Sequence, residues 1–229
     1  MPAAGSFDQI AVHFDRFAEL VGGPLDDFLK SMLPPAGGQR AVDLGCGTGR
    51  HAALLAAHYR QVLAVDISEP MLDLAQARRG LPNISYQECD LRKVRADTDG
   101  VFDLVVSAYA LHHLDDLDQA LWGIRELAAP GGRVVLIDNV APRPAVPRRW
   151  FIGEAVRTLG LDLLRRRRPP GQAWELFWLN TDPAWLDHLT TDRFLNPQEF
   201  AQRYSAVFAG ARFTDLYRSR AMCWDAPTH

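Results

Sequence analysis

The sequence predicts an α/β fold: a doubly wound, mostly parallel sheet with helices on both faces. Three observations carry that expectation. Short, almost wholly apolar runs alternate with helical stripes, as strands buried on both faces do. Each of the first three runs ends on or just before an acid, Asp43, Asp66 or Asp90. The first run also leads into the turn Asp43-Leu44-Gly45-Cys46-Gly47-Thr48-Gly49, where closely spaced glycines tolerate positive φ and let backbone approach a ligand.

Taken in order, Phe7, Ile10, Phe14, Phe17 and Val21 recur at spacings of three and four and predict an amphipathic helix, stopped by Gly22-Gly23-Pro24. A second helix, about Leu25 to Met32, ends at Pro34-Pro35. The first strand begins near Arg40 and runs into the glycine turn, with a helix following to about Tyr59. A strand from Gln61 to Ile67 ends around Asp66. Ser68 then caps a helix with Pro70 near its first position. A third strand runs from Ile84 to Cys89, and after a polar segment, 92–100, a fourth from Val101 to Ala108. Leu114, Leu117, Leu121, Ile124 and Ala128 mark the next helix. Pro130-Gly131-Gly132 is expected to break it before a fifth strand, Arg133 to Val140.

The texture changes at Ala141. Three prolines precede helical stretches carrying Arg165 to Arg168 and the aromatic group Trp174, Phe177, Trp178 and Trp185, an insertion of about fifty residues. Asn196-Pro197-Gln198-Glu199 then reads as a capping box. Phe200, Tyr204 and Phe208 form the buried stripe of that helix. Ala211 to Tyr217 and Ser219 to Trp224 follow as two strands whose link is too short for a crossover, so they pair antiparallel. The expected organisation is an N-terminal helical cap (1–39), a cofactor-binding core (40–140), a helical substrate cap (141–195) and a closing helix and strand pair (196–229).

Composition narrows the function. The chain has 229 residues, 48% hydrophobic and 23% charged, with a net charge of −3, so a dedicated nucleic-acid or anionic-membrane surface is not expected. Cys46, Cys89 and Cys223 are too scattered for a disulfide framework or a metal cluster. No metal is expected. The first twenty residues do not form a signal sequence, and no apolar run reaches membrane-spanning length, so a cytoplasmic protein is expected.

Acids at successive strand ends suit an adenosine cofactor with an amino-acid tail: one orients an ammonium, one accepts from ribose hydroxyls, one from the adenine amino group. With Ala64-Val65-Asp66-Ile67-Ser68, Cys89-Asp90-Leu91, Phe102-Asp103-Leu104-Val105 and Pro130-Gly131-Gly132, the glycine turn resembles a class I S-adenosylmethionine-dependent methyltransferase, and within that class the type-11 small-molecule branch. The resemblance is close over about Arg40 to Val140. It implies a Rossmann-like methyltransferase fold of seven strands in the order 3-2-1-4-5-7-6. It implies S-adenosylmethionine as cofactor, with Gly45, Gly47 and Gly49 at the methionine moiety and Asp43 orienting its amino group. Asp66 then takes the ribose, Ile67 packs on adenine, and Asp90 with Leu91 reads the adenine edge. Cys46 and Ser107 complete the expected cofactor set.

On the substrate side, His112 and His113 follow the fourth strand, where an imidazole could act as general base. His13, Phe14, Tyr109, Trp174, Trp178 and His188 are the other candidates for contact with a small-molecule substrate. The sulfonium carries its own activation, so in-line positioning suffices and no obligatory catalytic residue is required. Two other readings stay open at this point. A nicotinamide-dependent oxidoreductase shares Gly-x-Gly and a ribose acid, although here the third glycine comes one residue early and Tyr-x-x-x-Lys is absent. A non-catalytic cofactor-binding protein on the same fold is the other. Oligomeric state is not legible.

Overall fold

A computed structural model describes residues 10–34, 37–216 and 218–228. In chain order the elements are α1 (Ala11–Val21), α2 (Gly23–Met32), β1 (Gly38–Leu44), α3 (Arg50–Ala56), β2 (Tyr59–Asp66), α4 (Glu69–Arg79), β3 (Ile84–Glu88), the short α5 (Ala96–Asp99) and β4 (Phe102–Ala108). Then come α6 (Leu117–Glu126), β5 (Ala128–Asn139), α7 (Arg148–Arg165), α8 (Pro170–Thr181), α9 (Pro183–Thr191), α10 (Pro197–Val207), β6 (Arg212–Leu216) and β7 (Ser219–Asp225). Phe7, the first residue of the predicted opening helix, lies outside the described residues.

The seven strands form one sheet in the order β3-β2-β1-β4-β5-β7-β6, parallel except where β7 pairs with β5 and β6. This is the order the family resemblance implies. One face packs Leu25, Leu29, Ala52, Leu55 and Leu72 from α2, α3 and α4, and the other packs Leu117, Leu121, Ile124, Phe200 and Tyr204 from α6 and α10. Helix α2 is thus part of the sheet-covering layer, whereas α1 reaches across to the cap.

Local chemistry sets the helix starts that matter. Ser68 accepts from the Met71 N–H, Asp116 from Gln119, and Asn196 with Glu199 closes the expected capping box. The fifth strand differs from expectation: it begins at Ala128, not Arg133. Pro130-Gly131-Gly132 does not end the pairing but kinks it, with a register shift against β4 between Phe102 and Leu104. A side chain at Gly132 would meet the Phe102 and Ala129 carbonyls at 2.9 Å, so this close approach requires glycine.

The helical insertion leaves the sheet and returns to it at neighbouring points. Val140 and Leu195 form a parallel bridge, and the Ala141 N–H donates to the Leu195 carbonyl at 3.0 Å. Helices α7, α8 and α9 are thereby suspended over the carboxyl ends of the strands, where open α/β sheets bind ligands.

Candidate active site

The three loop glycines all have positive φ, but they do different work. A Cβ on Gly45 would strike Ala110 Cβ at 2.4 Å, and one on Gly49 would strike the Tyr86 hydroxyl at 2.5 Å. Those two permit packing. A Cβ on Gly47 would meet only Phe14, at 3.5 Å, so Gly47 faces open space beneath α1. Of the three, Gly47 is the close-approach glycine.

Two carboxylates flank this loop. Asp66 accepts from the Gly47 N–H at 2.8 Å and from the Ser68 N–H at 3.0 Å, one bond per oxygen, which leaves lone pairs on both for a ligand hydroxyl. Burial pushes its pKa up. Asp43 lies under the loop at 1% exposure, and neither of its oxygens has a hydrogen-bond partner among the described residues. Burial, reinforced by the Asp66 charge, raises its pKa to about 7. Asp90 lines the same cavity, but its carboxylate is already gripped by Arg92, at 2.5 Å through Nη2.

A single cavity of about 800 Å³ runs from Gly45, Gly47, Asp66, Ile67, Asp90 and Leu91 into a chamber walled by Phe14, Phe17, Trp150, Phe151, Trp185, His188 and Phe194. That is ample for a nucleoside-sized cofactor and a second small molecule. Helix α9 starts with Asp182 accepting from the Trp185 backbone N–H at 3.0 Å, and His13 and Phe17 pack tilted against the Trp185 ring at about 5 Å centroid separation. Tyr109 also lines the chamber, in a left-handed conformation (φ 60°), with its hydroxyl 3.1 Å from Ser219 Oγ. Such strain in a non-glycine residue is characteristic of sites that the surroundings over-determine.

Several expectations require correction. Ser107 does not reach the cavity; it is fully buried and its hydroxyl donates to the Leu44 carbonyl at 2.8 Å, tying β4 to β1. Cys46 is buried core and Gly49 packs on Tyr86 and Ala75, so neither lines the cavity. Trp174 and Trp178 lie on the outer face of α8, 47% and 66% exposed, and the chamber takes Trp150 and Trp185 instead. His13 supports Trp185 from behind without lining the cavity.

The two histidines are present but ill suited to the base role. His112 donates from Nδ1 to Asp138 Oδ1 at 2.5 Å, with Nε2 3.6 Å from Asp192. Burial would lower its pKa, but Asp138 and Asp192 overcome that and raise it to about 10, so at neutral pH it is already an imidazolium. His113 is the converse: burial and the neighbouring His112 and His188 push it down to about 2, leaving a neutral, weakly basic ring. His112, His113 and Asp192 bring donor atoms within 4.8 Å of one another. Asp138 and Asp192 escaped the sequence reading. Asp138 ends β5 as Asp43 and Asp66 end theirs, a usable signal, whereas Asp192 had none.

With the sheet order, the glycine turn and the strand-end acids in place, the fold and site define a doubly wound α/β protein with a cofactor-sized cavity at the carboxyl ends of its strands. Residues 42–136 match the family model described as a methyltransferase domain. A methyltransferase of Mycobacterium tuberculosis, itself uncharacterized, is 39% identical over 116 residues, and the alignment spans 51% of this chain but only 58% of that relative's length. The Escherichia coli protein YafE is 32% identical over 178 residues, 76% of this chain and 82% of its own. A demethylmenaquinone methyltransferase of Clavibacter sepedonicus is 28% identical over 202 residues, 85% of this chain and 80% of its own. Among solved structures, the complex of DhpI with S-adenosylhomocysteine superposes with a TM-score of 0.66 at 21% identity, covering 98% of this chain and 95% of that one, which is a likeness of fold.

The chain belongs to the S-adenosylmethionine-dependent methyltransferases. Its cofactor is S-adenosylmethionine, and the nicotinamide-dependent reading is set aside. The residues present suit that cofactor: a buried carboxylate, Asp43, without a partner, a second, Asp66, with lone pairs to spare, and a glycine, Gly47, open to the cavity. Among the described residues no helix is long and apolar enough to cross a membrane.

Proposed function

We propose that this protein transfers a methyl group from S-adenosylmethionine to an oxygen, nitrogen or carbon nucleophile on a small, flat, largely apolar molecule. One observation carries the reading: the cavity at the glycine loop continues without interruption into a chamber walled by Trp150, Phe151, Trp185 and Phe194. Aromatic walls favour a planar acceptor. Of two relatives aligned over 80% of their own lengths, one is named a demethylmenaquinone methyltransferase and the other a ubiquinone/menaquinone biosynthesis C-methyltransferase, which further supports an aromatic acceptor.

The cofactor supplies an activated methyl on a sulfonium. The chain's part is to hold and to exclude. Asp66 and Asp90 fix the nucleoside end, and Asp43 the amino-acid end. Phe14 from α1 roofs the loop, and α7 to α9 keep water from the acceptor. Confining two reactants in line is worth roughly 7–11 kcal/mol, so the reaction needs no dedicated base. The fixed positive charge on His112 and the weak basicity of His113 agree with a mechanism of positioning.

The test is transfer itself. Purified protein with methyl-labelled S-adenosylmethionine should label a low-molecular-weight fraction of a cell extract, and the label should disappear with Asp66→Ala. Label appearing only in protein or nucleic acid would contradict the proposal.

A further inference from the structure

The acceptor chamber is apolar apart from a few groups, and one of them is an arginine whose charge is not met. Arg218 sits in the tight turn between β6 and β7 and lines the cavity. Its guanidinium carbon lies over the Trp150 ring, 4.3 Å from the centroid. Among the described residues it makes no ion pair and no side-chain hydrogen bond. The acid nearest in effect, Glu154, is spent on Arg157 through a fork of 3.1 and 2.8 Å, and Asp215 lies 3.3 Å from Arg220. Arg168, which lines the same cavity from the cap, differs. It is neutralised by Asp162 at 2.8 Å and tied to the Leu20 carbonyl of α1.

Removing a guanidinium from bulk water without an anion is unfavourable, and stacking on tryptophan offsets only part of that. The ring also limits the positions that the guanidinium can take. Asn139 and Ser219 line the same cavity, their side chains meeting at 3.3 Å, and the Ser219 hydroxyl lies 3.1 Å from that of Tyr109. The one acid of this turn that lines the cavity, Asp215, faces Arg220, so the corner offers Arg218 with neutral hydrogen-bonding groups and suits a planar monoanion better than a phosphate monoester, whose double charge calls for more than one cation.

We propose that Arg218, seated on Trp150, binds a carboxylate of the methyl acceptor, so that the substrate is an aromatic or otherwise apolar carboxylic acid. This rests on the reading of the chamber as the acceptor site. Trp150 and Phe151 then contact the apolar body, and Arg218 fixes its direction relative to the glycine loop. Choice of substrate thus lies partly in the β6–β7 turn, outside the inserted cap.

The experiment uses the full chain loaded with S-adenosylhomocysteine, titrated calorimetrically with benzoate, phenylacetate and 3-phenylpropionate, each against its primary amide. At least one acid should bind about tenfold or more tighter than its amide, as one charged pair allows. Arg218→Gln should bring that ratio to near one while leaving affinity for S-adenosylhomocysteine unchanged, and Arg218→Lys, which keeps the charge but not the fork, should retain part of it. Acids that bind no better than their amides, or a preference surviving Arg218→Gln, would overturn the proposal. The comparison of acid with amide on the unmodified chain is decisive even if a variant does not fold. Failure to bind S-adenosylhomocysteine at the outset would instead overturn the methyltransferase function proposed above.

Discussion

Replacing Asp15 by asparagine should unlatch α1 from the glycine loop. Asp15 is fully buried, and its carboxylate accepts from Thr48 Oγ1 at 2.6 Å, from Arg79 Nη1 at 2.7 Å and from Arg78. Arg79 also donates to the Thr48 carbonyl at 2.9 Å, so loop, α4 and α1 meet at one carboxylate. Arg78 is 44% exposed, and its share is worth only about 0–1 kcal/mol after solvent screening. Arg79 is 14% exposed; it keeps the Thr48 carbonyl and Glu19 at 3.7 Å, so breaking its buried pair with Asp15 costs about 3 kcal/mol, the low end of the range for removing one partner of a buried pair. Asparagine keeps an acceptor for Thr48, which leaves a net loss of about 3 kcal/mol, or roughly a hundredfold in the docking equilibrium of α1. Because Phe14 on α1 covers Gly47, part of that loss should appear in cofactor affinity. Hydrogen exchange should show residues 11–21 losing protection while β1, β4 and β5 keep theirs, and calorimetry should show S-adenosylhomocysteine binding weakened about tenfold or more. Unchanged protection of α1 together with unchanged affinity would refute the latch.

Two further outcomes follow from buried charge. Asp43 has a folded pKa raised to about 7, so at pH 5–7 it holds a proton that an incoming ammonium must expel. Affinity for S-adenosylhomocysteine should therefore rise with pH, by up to about tenfold per unit, and level off above pH 7, a slope that Asp43→Asn removes. A flat profile in the unmodified chain would contradict the assignment. His112 has its folded pKa raised to about 10, so it contributes stability that is complete below its unfolded value near 6.5 and is lost as pH climbs towards 10. The upper limit is about 5 kcal/mol for a shift of that size. Denaturant unfolding across pH 6.5–10 should show this decline, and Asp138→Asn should flatten it; equal slopes in both proteins would mean that His112 is neutral.

Much of this fold could be read before any coordinates, for physical reasons that are visible residue by residue. The apolar runs Ala41–Leu44, Val62–Val65 and Leu104–Val106 can only be strands buried on both faces, and Ser68, Asp116 and Asn196 each begin a helix through a local hydrogen bond. Asp66, Asp90 and Gly47 reach the cavity because strand ends and the turn after β1 converge by topology. What failed was of another kind. Residue type could not tell that Trp178 is 66% exposed and away from the cavity while Trp150, at the start of α7 and itself 37% exposed, lines it, since a helix of weak amphipathicity does not declare its buried face. Nor could spacing reveal that His112 lies between Asp138 and Asp192, which are 26 and 80 positions further along the chain and brought together only by the return of the insertion at Leu195. Arg218 escaped for the same reason: its partner ring is in the cap and its turn is in the sheet.

The most direct test of the central claim is calorimetric titration of the purified chain with S-adenosylhomocysteine, alongside Asp66→Ala. The account predicts one saturable site in the unmodified protein and a loss of at least about tenfold in affinity in the variant, the value of a hydrogen bond to a charged group. Absence of binding, or binding that is indifferent to Asp66, would contradict it.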